Sequence, residues 1–367
     1  MNKRVCHVIT TLGLGGAEKQ LLTLVRRQRE NGWTVKILFL KGPTDLEEEF
    51  MKLNCGVYSL RNILQFRIKA FLNPNYLRSF IFHAHLPRAE ILTLVISRVL
   101  GLTFVSSRHN TEYFYPEGPK LISRVLSRLV IKYSKAVICI SRAVRDSIIQ
   151  NKEVLNEDTF KLITIYYGIE SRIIFKKQNS KESDGIFRLG CMARLVKQKD
   201  IPTLLFSFAQ VLKTNSSVLQ IELIIVGDGP QKRQLMKLSQ QLEISNEIKW
   251  ISKISETNRF FESIDLFVLP SLYEGFGLVL LEAMLSDTPI LASRTTAIPE
   301  VLGENYSGLF AVGDVSELTK KIQDCLSTNY RKTLTDSYSQ RLAFFSASRS
   351  CEEISNLYIQ IQAEEVN

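Results

Sequence analysis

The sequence predicts an α/β protein made of two Rossmann-like, doubly wound domains in tandem, facing each other across a cleft. Three observations predict it. Apolar, strand-like runs alternate with amphipathic, helix-like runs along nearly all of the 367 residues, the pattern of a parallel sheet with helices on both faces. Glycine-rich turns, GLGG at 13–16 and GDG at 227–229, stand where a strand gives way to a helix. The alternation lapses once, over the polar stretch YGIESRIIFKKQNSKESD from Tyr167 to Asp184, and then restarts. At roughly 100–200 residues per domain, the length suits two domains.

The elements follow in order. RVCHVI reads as a strand, AEKQLLTLVRRQREN as a helix and WTVKILFL as the next strand, which makes a βαβ unit. IFHAH, FVSS, AVICI and KLITIYY continue the first sheet, with helices between them. After the polar stretch, IFRLGCM, IELIIV, EIKWI, DLFVL and PILA read as strands. Helices are predicted at 200–213, 231–243, 256–263, 278–286 and 315–327, with a last one at 345–365. Sheets of this kind bind ligands outside the carboxyl ends of their strands.

Composition narrows the function. An apolar content of 45% excludes large-scale disorder. The six cysteines are scattered without a C-x-x-C, so buried, reduced thiols are expected rather than a disulfide framework. No secretory apolar segment follows the basic start MNKR, and no run approaches ~18 apolar residues. A cytoplasmic protein that does not span a membrane is expected. The net charge of +10 is uneven. Residues 1–165 hold 25 Lys+Arg against 13 Asp+Glu, and the remainder 22 against 24. A basic first half suits a polyanionic partner, whether phosphorylated substrate, anionic lipid or nucleic acid.

Four segments carry candidate chemistry. In GLGGAE, Gly15 and Gly16 allow backbone N–H groups to approach an anion at a helix start. The segment is not a dinucleotide fingerprint, because Glu18 stands where the third glycine would be and Lys41 where an acidic ribose ligand would be. In VGDGP, Gly227 follows a strand and Pro230 suits a first helical position. In LYEGFGLVLLEAMLS, Glu274 lies in a glycine-broken turn, and Gly275, Phe276, Gly277 and Leu278 lead into a helix. Glu282 on that helix has apolar neighbours on both sides. A carboxylate so placed needs hydrogen-bond partners; ribose hydroxyls serve, and so does a structural Lys or Arg. In GCMARLVKQKD, Arg194 and Lys199 offer a guanidinium fork and a point charge to a diphosphate, though an exposed basic loop reads the same way. No D-x-D occurs, so no metal is expected at the diphosphate. His83 and His85 share a strand face, but no Cys or His spacing supplies a third ligand, so no metal is expected there either. His109 falls just after a strand, at the ligand-binding edge.

Together these segments resemble the GT4-type retaining glycosyltransferases of the GT-B fold. The matching pieces are GGAE at 15–18, HAH at 83–85, SSRHN at 106–110, ARLVKQK at 193–199, VGDGP at 226–230 and EGFGLVLLEA at 274–283. They run in family order across nearly the whole chain. The resemblance implies that Arg194 and Lys199 hold the donor diphosphate, Glu282 the ribose and Glu274 the donor sugar. The Gly275–Leu278 backbone would lie on the sugar hydroxyls and phosphate. Gly15 and Gly16 would face the diphosphate, and His109 the transferred sugar. It also implies retention of anomeric configuration without a metal. The last helix would return to the first domain, giving 1–168 with 346–367, a linker at 169–185, and 186–345. Four positions depart from the family pattern: Tyr167 where Asn is usual, Asp200 where Gly is usual, and Thr296-Ala297 where glycines are usual.

No cofactor is expected beyond the nucleotide diphosphate sugar itself, UDP- or GDP-linked. The expected acceptor is a polyprenyl-diphosphate-linked sugar or a saccharide, in bacterial surface-polysaccharide assembly. A nucleotide-sugar epimerase on the same fold and a non-catalytic sugar-nucleotide binder remain open. No nucleic-acid module is present. Lys120, Arg124, Arg128 and Lys132 recur every fourth residue in PKLISRVLSRLVIKYSK, a basic stripe suited to an anionic membrane or to solvent. A second basic-aromatic stretch spans 61–80.

Overall fold

The computed structural model describes residues 3–60, 74–170, 185–214, 219–254 and 256–366. The chain divides into two compact units, Met1–Glu170 with Phe345–Asn367, and Ser171–Phe344. Most of the segment expected to link them, and most of the second basic-aromatic stretch, lie outside the described residues.

The first unit is a seven-stranded parallel sheet in the order β3-β2-β1-β4-β5-β6-β7. Its strands are β1 (Arg4–Ile9), β2 (Thr34–Phe39), β3 (Gly56–Ser59), β4 (Ile81–His85), β5 (Phe104–Arg108), β6 (Val137–Cys139) and β7 (Leu162–Thr164). Both faces are covered, which is why β1 and β4 are buried along nearly their whole length. On one face Val5, Ile9, Ile37 and Val105 meet Leu21, Leu22 and Val25 of the helix Gly16–Glu30. Ile354, Tyr358 and Ile361 of the last helix, Ala347–Val366, complete that core at helical spacing. The other face buries Cys6, Val8, Phe82 and Phe104. β7 ends at Thr164, short of the expected KLITIYY run, so Tyr166 and Tyr167 leave the sheet at its carboxyl edge.

The second unit is a six-stranded parallel sheet in the order β10-β9-β8-β11-β12-β13. Its strands are β8 (Ile186–Met192), β9 (Gln220–Val226), β10 (Ile248–Ile251), β11 (Leu266–Leu269), β12 (Ile290–Ser293) and β13 (Leu309–Phe310). The central strands bury an apolar core that includes Leu223, Ile225, Phe267 and Leu291, with Arg188 of β8 and Glu222 of β9 paired beside it. The strand order reverses on either side of β8, so the loops after β8, β9 and β11 gather at one carboxyl edge. All six cysteines are free, and all but Cys55 are fully buried.

Candidate active site

At the carboxyl edge of the second sheet, four loops are laced together by backbone and side-chain hydrogen bonds. Ala193 N–H donates to Val226 C=O at 3.0 Å, and Leu195 N–H to Asp228 C=O at 2.9 Å. The loops approach this closely because Gly227 and Gly229 lack side chains. A Cβ on Gly227 would stand 1.9 Å from Ala193 O, and one on Gly229 2.4 Å from Leu195 O. Arg194 projects from this junction, exposed, while Lys199 ends the turn Lys197–Lys199. Pro230 stays in the turn ahead of the helix Lys232–Gln241 rather than opening it.

Lys199 Nζ forms an ion pair with Glu274 Oε1. The same carboxylate oxygen accepts from Ser271 Oγ at 2.7 Å. Glu274 is only 5% exposed, so its charge depends on these two donors. Its backbone is held just as firmly. Thr296 Oγ1 accepts from Glu274 N–H at 2.7 Å and donates to Glu274 C=O at 2.9 Å. Gln198 closes the junction, with its side chain donating to Tyr273 C=O at 2.9 Å and its carbonyl accepting from Leu272 N–H at 2.8 Å.

Gly275, Phe276 and Gly277 carry the chain into the helix Leu278–Leu285, with Gly277 in the left-handed region as its N-cap. Phe276 is buried at 2% exposure, so its side chain serves the core and its backbone faces the turn. Glu282 sits one turn beyond Leu278 on the same helix face and is half-buried. The structure thus brings Lys199, Glu274 and the Gly275–Leu278 turn together, with Arg194 and Gly227 on the adjoining loops.

Two departures from the family pattern have a local explanation. Asp200 and Thr296 both take positive φ, +44° and +41°. That is the conformation glycine reaches without strain. Asp200 tolerates it while accepting from Thr203 Oγ1 at 2.7 Å. Thr296 is β-branched and strained there, held by its two bonds to Glu274.

In the first unit all four histidines converge on one sheet face. His7 lies opposite His83 in the register of β1 and β4, and His85 opposite Ser107 in that of β4 and β5. His7 Nε2 is 2.8 Å from Gln28 Oε1, and His7 Nδ1 is 3.0 Å from His85 Nε2. His83 bonds Ser107 Oγ at 2.7 Å through Nε2 and Tyr358 OH through Nδ1. His109 Nδ1 bonds the hydroxyl of Tyr167, and its Nε2 is buried with no hydrogen-bond partner among the described residues. A cavity of about 30 Å³ is lined by Gln20, His83, His85, Ser107, His109 and Tyr167. That is room for one water or one hydroxyl group.

Burial holds every one of these imidazoles neutral. It lowers His7 to about 4 and His109, beside the Arg108 charge, to about 3. His83 and His85 are pushed well below the usual value. The sequence offered His83 and His85 without a third metal ligand. The fold supplies His7, and the ligand atoms of the three lie within 4.8 Å of one another. Ring nitrogens of all three are engaged by protein partners instead.

The loop carrying His109 is anchored by charge. Arg108 pairs with Glu90 at 2.8 Å, and its guanidinium carbon lies 4.0 Å from the centre of the Phe114 ring. Glu153 accepts from Phe114 N–H at 2.6 Å. Gly15 and Gly16 are exposed at the start of the helix Gly16–Glu30. A Cβ on Gly15 would meet Glu18 Oε2 at 2.3 Å, and Glu18 itself accepts from Thr11 Oγ1 at 2.6 Å.

The basic stripe on the helix Lys120–Tyr133 is partly structural. Arg124 Nε donates to Asn151 C=O at 2.8 Å and Arg128 to Lys152 C=O at 2.9 Å. Both arginines thereby satisfy carbonyls that follow the helix Arg142–Gln150, a use of positive charge at a helix C-terminus. Lys120 and Lys132 remain exposed on that helix, and beside them it offers solvent an apolar row: Leu121 at 71% exposure, with Ile122, Val125 and Leu129. No helix among the described residues is long and apolar enough to cross a membrane.

Comparison with known proteins follows this division. The family described as Glycosyltransferase Family 4 matches residues 14–169, and that described as Glycosyl transferases group 1 matches 170–341. N-acetyl-alpha-D-glucosaminyl L-malate synthase of Bacillus anthracis is 27% identical over 247 residues, 64% of this chain and 62% of that protein. Alpha-monoglucosyldiacylglycerol synthase of Streptococcus pneumoniae is 28% identical over 288 residues, 68% of this chain and 63% of that protein. The chain thus spans about three fifths of these relatives' length. Among solved structures, Anabaena HepE in complex with UDP and glucose has the same fold, with a TM-score of 0.80 at 18% identity over 98% of this chain and 100% of that one.

Proposed function

We propose a function from one premise: the chain belongs to the group 1, family 4 glycosyltransferases, with the two parallel-sheet α/β domains of the GT-B fold. Its reaction, in this reading, moves a sugar from a UDP- or GDP-linked donor to an acceptor hydroxyl with retention of configuration. The observation that carries the reading is the Lys199–Glu274 pair, seated among four converging loops at the carboxyl edge of the second sheet.

Arg194 and Lys199 neutralise the diphosphate as it departs. Glu274 grips the sugar, the Gly275–Leu278 backbone lies on its hydroxyls and phosphate, and Glu282 accepts from the ribose diol. Gly227 keeps the neighbouring loop close enough to Arg194 for both to act. Gly15 and Gly16 offer backbone donors to the diphosphate, and His109 touches the transferred sugar. The bond from the anomeric carbon to the diphosphate oxygen breaks as the acceptor oxygen bonds to the same face of that carbon. The acceptor's proton passes to the departing phosphate oxygen. Catalysis is then charge stabilisation and positioning, and no metal is required where two cations already face the diphosphate.

A lipid-diphosphate-linked or saccharide acceptor in bacterial surface-polysaccharide assembly fits a first unit rich in positive charge. The apolar row Leu121, Ile122, Val125 and Leu129 supports peripheral docking on the cytoplasmic face of an anionic membrane. A thermal-shift screen of UDP-, GDP- and ADP-sugars, followed by assay of nucleoside diphosphate release with glycoside formation, tests the reading. Lys199→Ala and Glu274→Ala abolish transfer if it holds. Near-normal turnover in both variants overturns it, and interconversion of donor sugars without release points to an epimerase.

A further inference from the structure

We infer that Tyr167 is a positioning residue whose hydroxyl donates to His109 Nδ1 and thereby fixes the imidazole proton on Nε2. The inference rests on the placement of His109 beside the transferred sugar. Its observations are separate from that placement.

The first observation is the bond itself. The Tyr167 hydroxyl meets His109 Nδ1, the two ring centres lie 5.8 Å apart, and both residues line the same small cavity. The second is which partner owns the proton. Burial, reinforced by the Glu18 charge, pushes the phenol well above its usual range, so it keeps its proton. Burial keeps the imidazole neutral. Between a neutral phenol and a neutral imidazole, the bare ring nitrogen is a far stronger acceptor than the phenol oxygen, so the O–H donates to it. The second ring nitrogen must then carry the hydrogen, and Nε2 is the one with no partner among the described residues.

The third observation is that Tyr167 is held from behind. Gly168 C=O accepts from Gln20 Nε2 at 2.8 Å. A Cβ on Gly168 would stand 2.4 Å from Ser346 O. Ile169 N–H donates to Phe345 C=O at 2.8 Å, and Ala347 N–H to Ile169 C=O at 3.0 Å. The phenol is therefore aimed by the start of the last helix, and no ligand is needed to place it.

The consequence is a chemical role for His109. With Nε2 protonated and Nδ1 occupied, it donates to an oxygen of the sugar or acceptor and has no lone pair with which to act as a base. This agrees with a reaction in which the departing phosphate takes the acceptor's proton.

The test is ¹⁵N imidazole NMR on the full-length protein, wild type against Tyr167→Phe, with the His109 signals assigned by their loss in His109→Gln. The wild type is expected to show a bare Nδ1 and a protonated Nε2. Tyr167→Phe is expected to populate the other tautomer. It should also lower kcat about tenfold, the worth of one hydrogen bond, with the donor KM unchanged. A protonated Nδ1 in the wild type, an unchanged tautomer in the variant, or a changed tautomer with unchanged kcat overturns the inference. If Tyr167→Phe does not fold, the wild-type tautomer decides alone. Wild-type transfer by His109→Gln would instead sink the placement of His109 and leave the tautomer result standing.

Discussion

Replacing His7 by Gln should remove about 2 kcal/mol of the acid sensitivity of the first unit. His7 titrates at about 4 in the folded protein against 6.5 for the free side chain, because it is wholly buried. A folded-state pKa that is depressed for a base means stability present above 6.5 and lost as pH falls toward 4. At pH 5 the unfolded chain has taken up this proton and the folded chain has not, which amounts to about 2 kcal/mol against pH 7.5. His83, His85 and His109 act in the same direction. Glu90, raised by burial to about 7, and Glu153, also raised, act in the opposite one. The contributions of His109, Glu90 and Glu153 are common to wild type and variant, whereas the part of the His83 and His85 lowering that His7 causes is lost with it and adds to the difference in the same direction. Trp33 is buried in the first unit against Tyr358 and reports on it when Trp250→Phe silences the second unit. In urea, the midpoint of the wild type should fall by about 1 M more than that of the variant between pH 7.5 and pH 5. Equal falls would show that His7 is not neutral and buried as described.

Three further outcomes follow from the geometry. Gly227→Ala forces a Cβ against Ala193 O and should destabilise the second unit by roughly 1–3 kcal/mol, with weaker sugar-nucleotide binding, read by urea unfolding and thermal shift; an unshifted midpoint counts against the loop packing. Thr296→Gly relieves the positive φ but removes both bonds to Glu274, so transfer should fall about tenfold with little change in stability; unchanged turnover would make the clamp incidental. Leu121→Ser with Val125→Ser should abolish co-sedimentation with anionic vesicles while leaving turnover on a soluble acceptor intact, and equal pelleting of wild type with neutral and anionic vesicles would remove the case for an anionic surface.

The sequence and the structure agree where a signal is local and diverge where it depends on distant partners. Alternation of apolar runs and glycine turns marked most strands of both sheets, because buried parallel strands are apolar along their length. Strands β3 and β13 escaped, the latter only two residues long, as did the helices Ile298–Leu302, Thr328–Thr335 and Tyr338–Phe344. Each is too short to show a period. His7 was legible only as an isolated histidine in a strand. Its approach to His83 and His85 depends on β1 lying beside β4, a neighbour relation that spacing does not encode. The basic stripe illustrates the converse. Fourfold spacing placed Arg124 and Arg128 on one helix face, yet the partners that claim them are carbonyls at Asn151 and Lys152. Asp200 and Thr296 looked like losses of glycine, and the backbone kept the glycine conformation in both.

The last helix is part of the first unit, and this imposes an order of assembly on the ribosome. Tyr358 bonds His83 and packs edge-on against Trp33, so the part of the histidine face that lies under the last helix lacks these partners until residues 345–367 emerge. Between the two pieces the ribosome makes residues 171–344. At about 5–20 residues per second that interval lasts on the order of 10–35 s. Throughout it the apolar residues that Ile354, Tyr358 and Ile361 cover in the finished protein lack that cover.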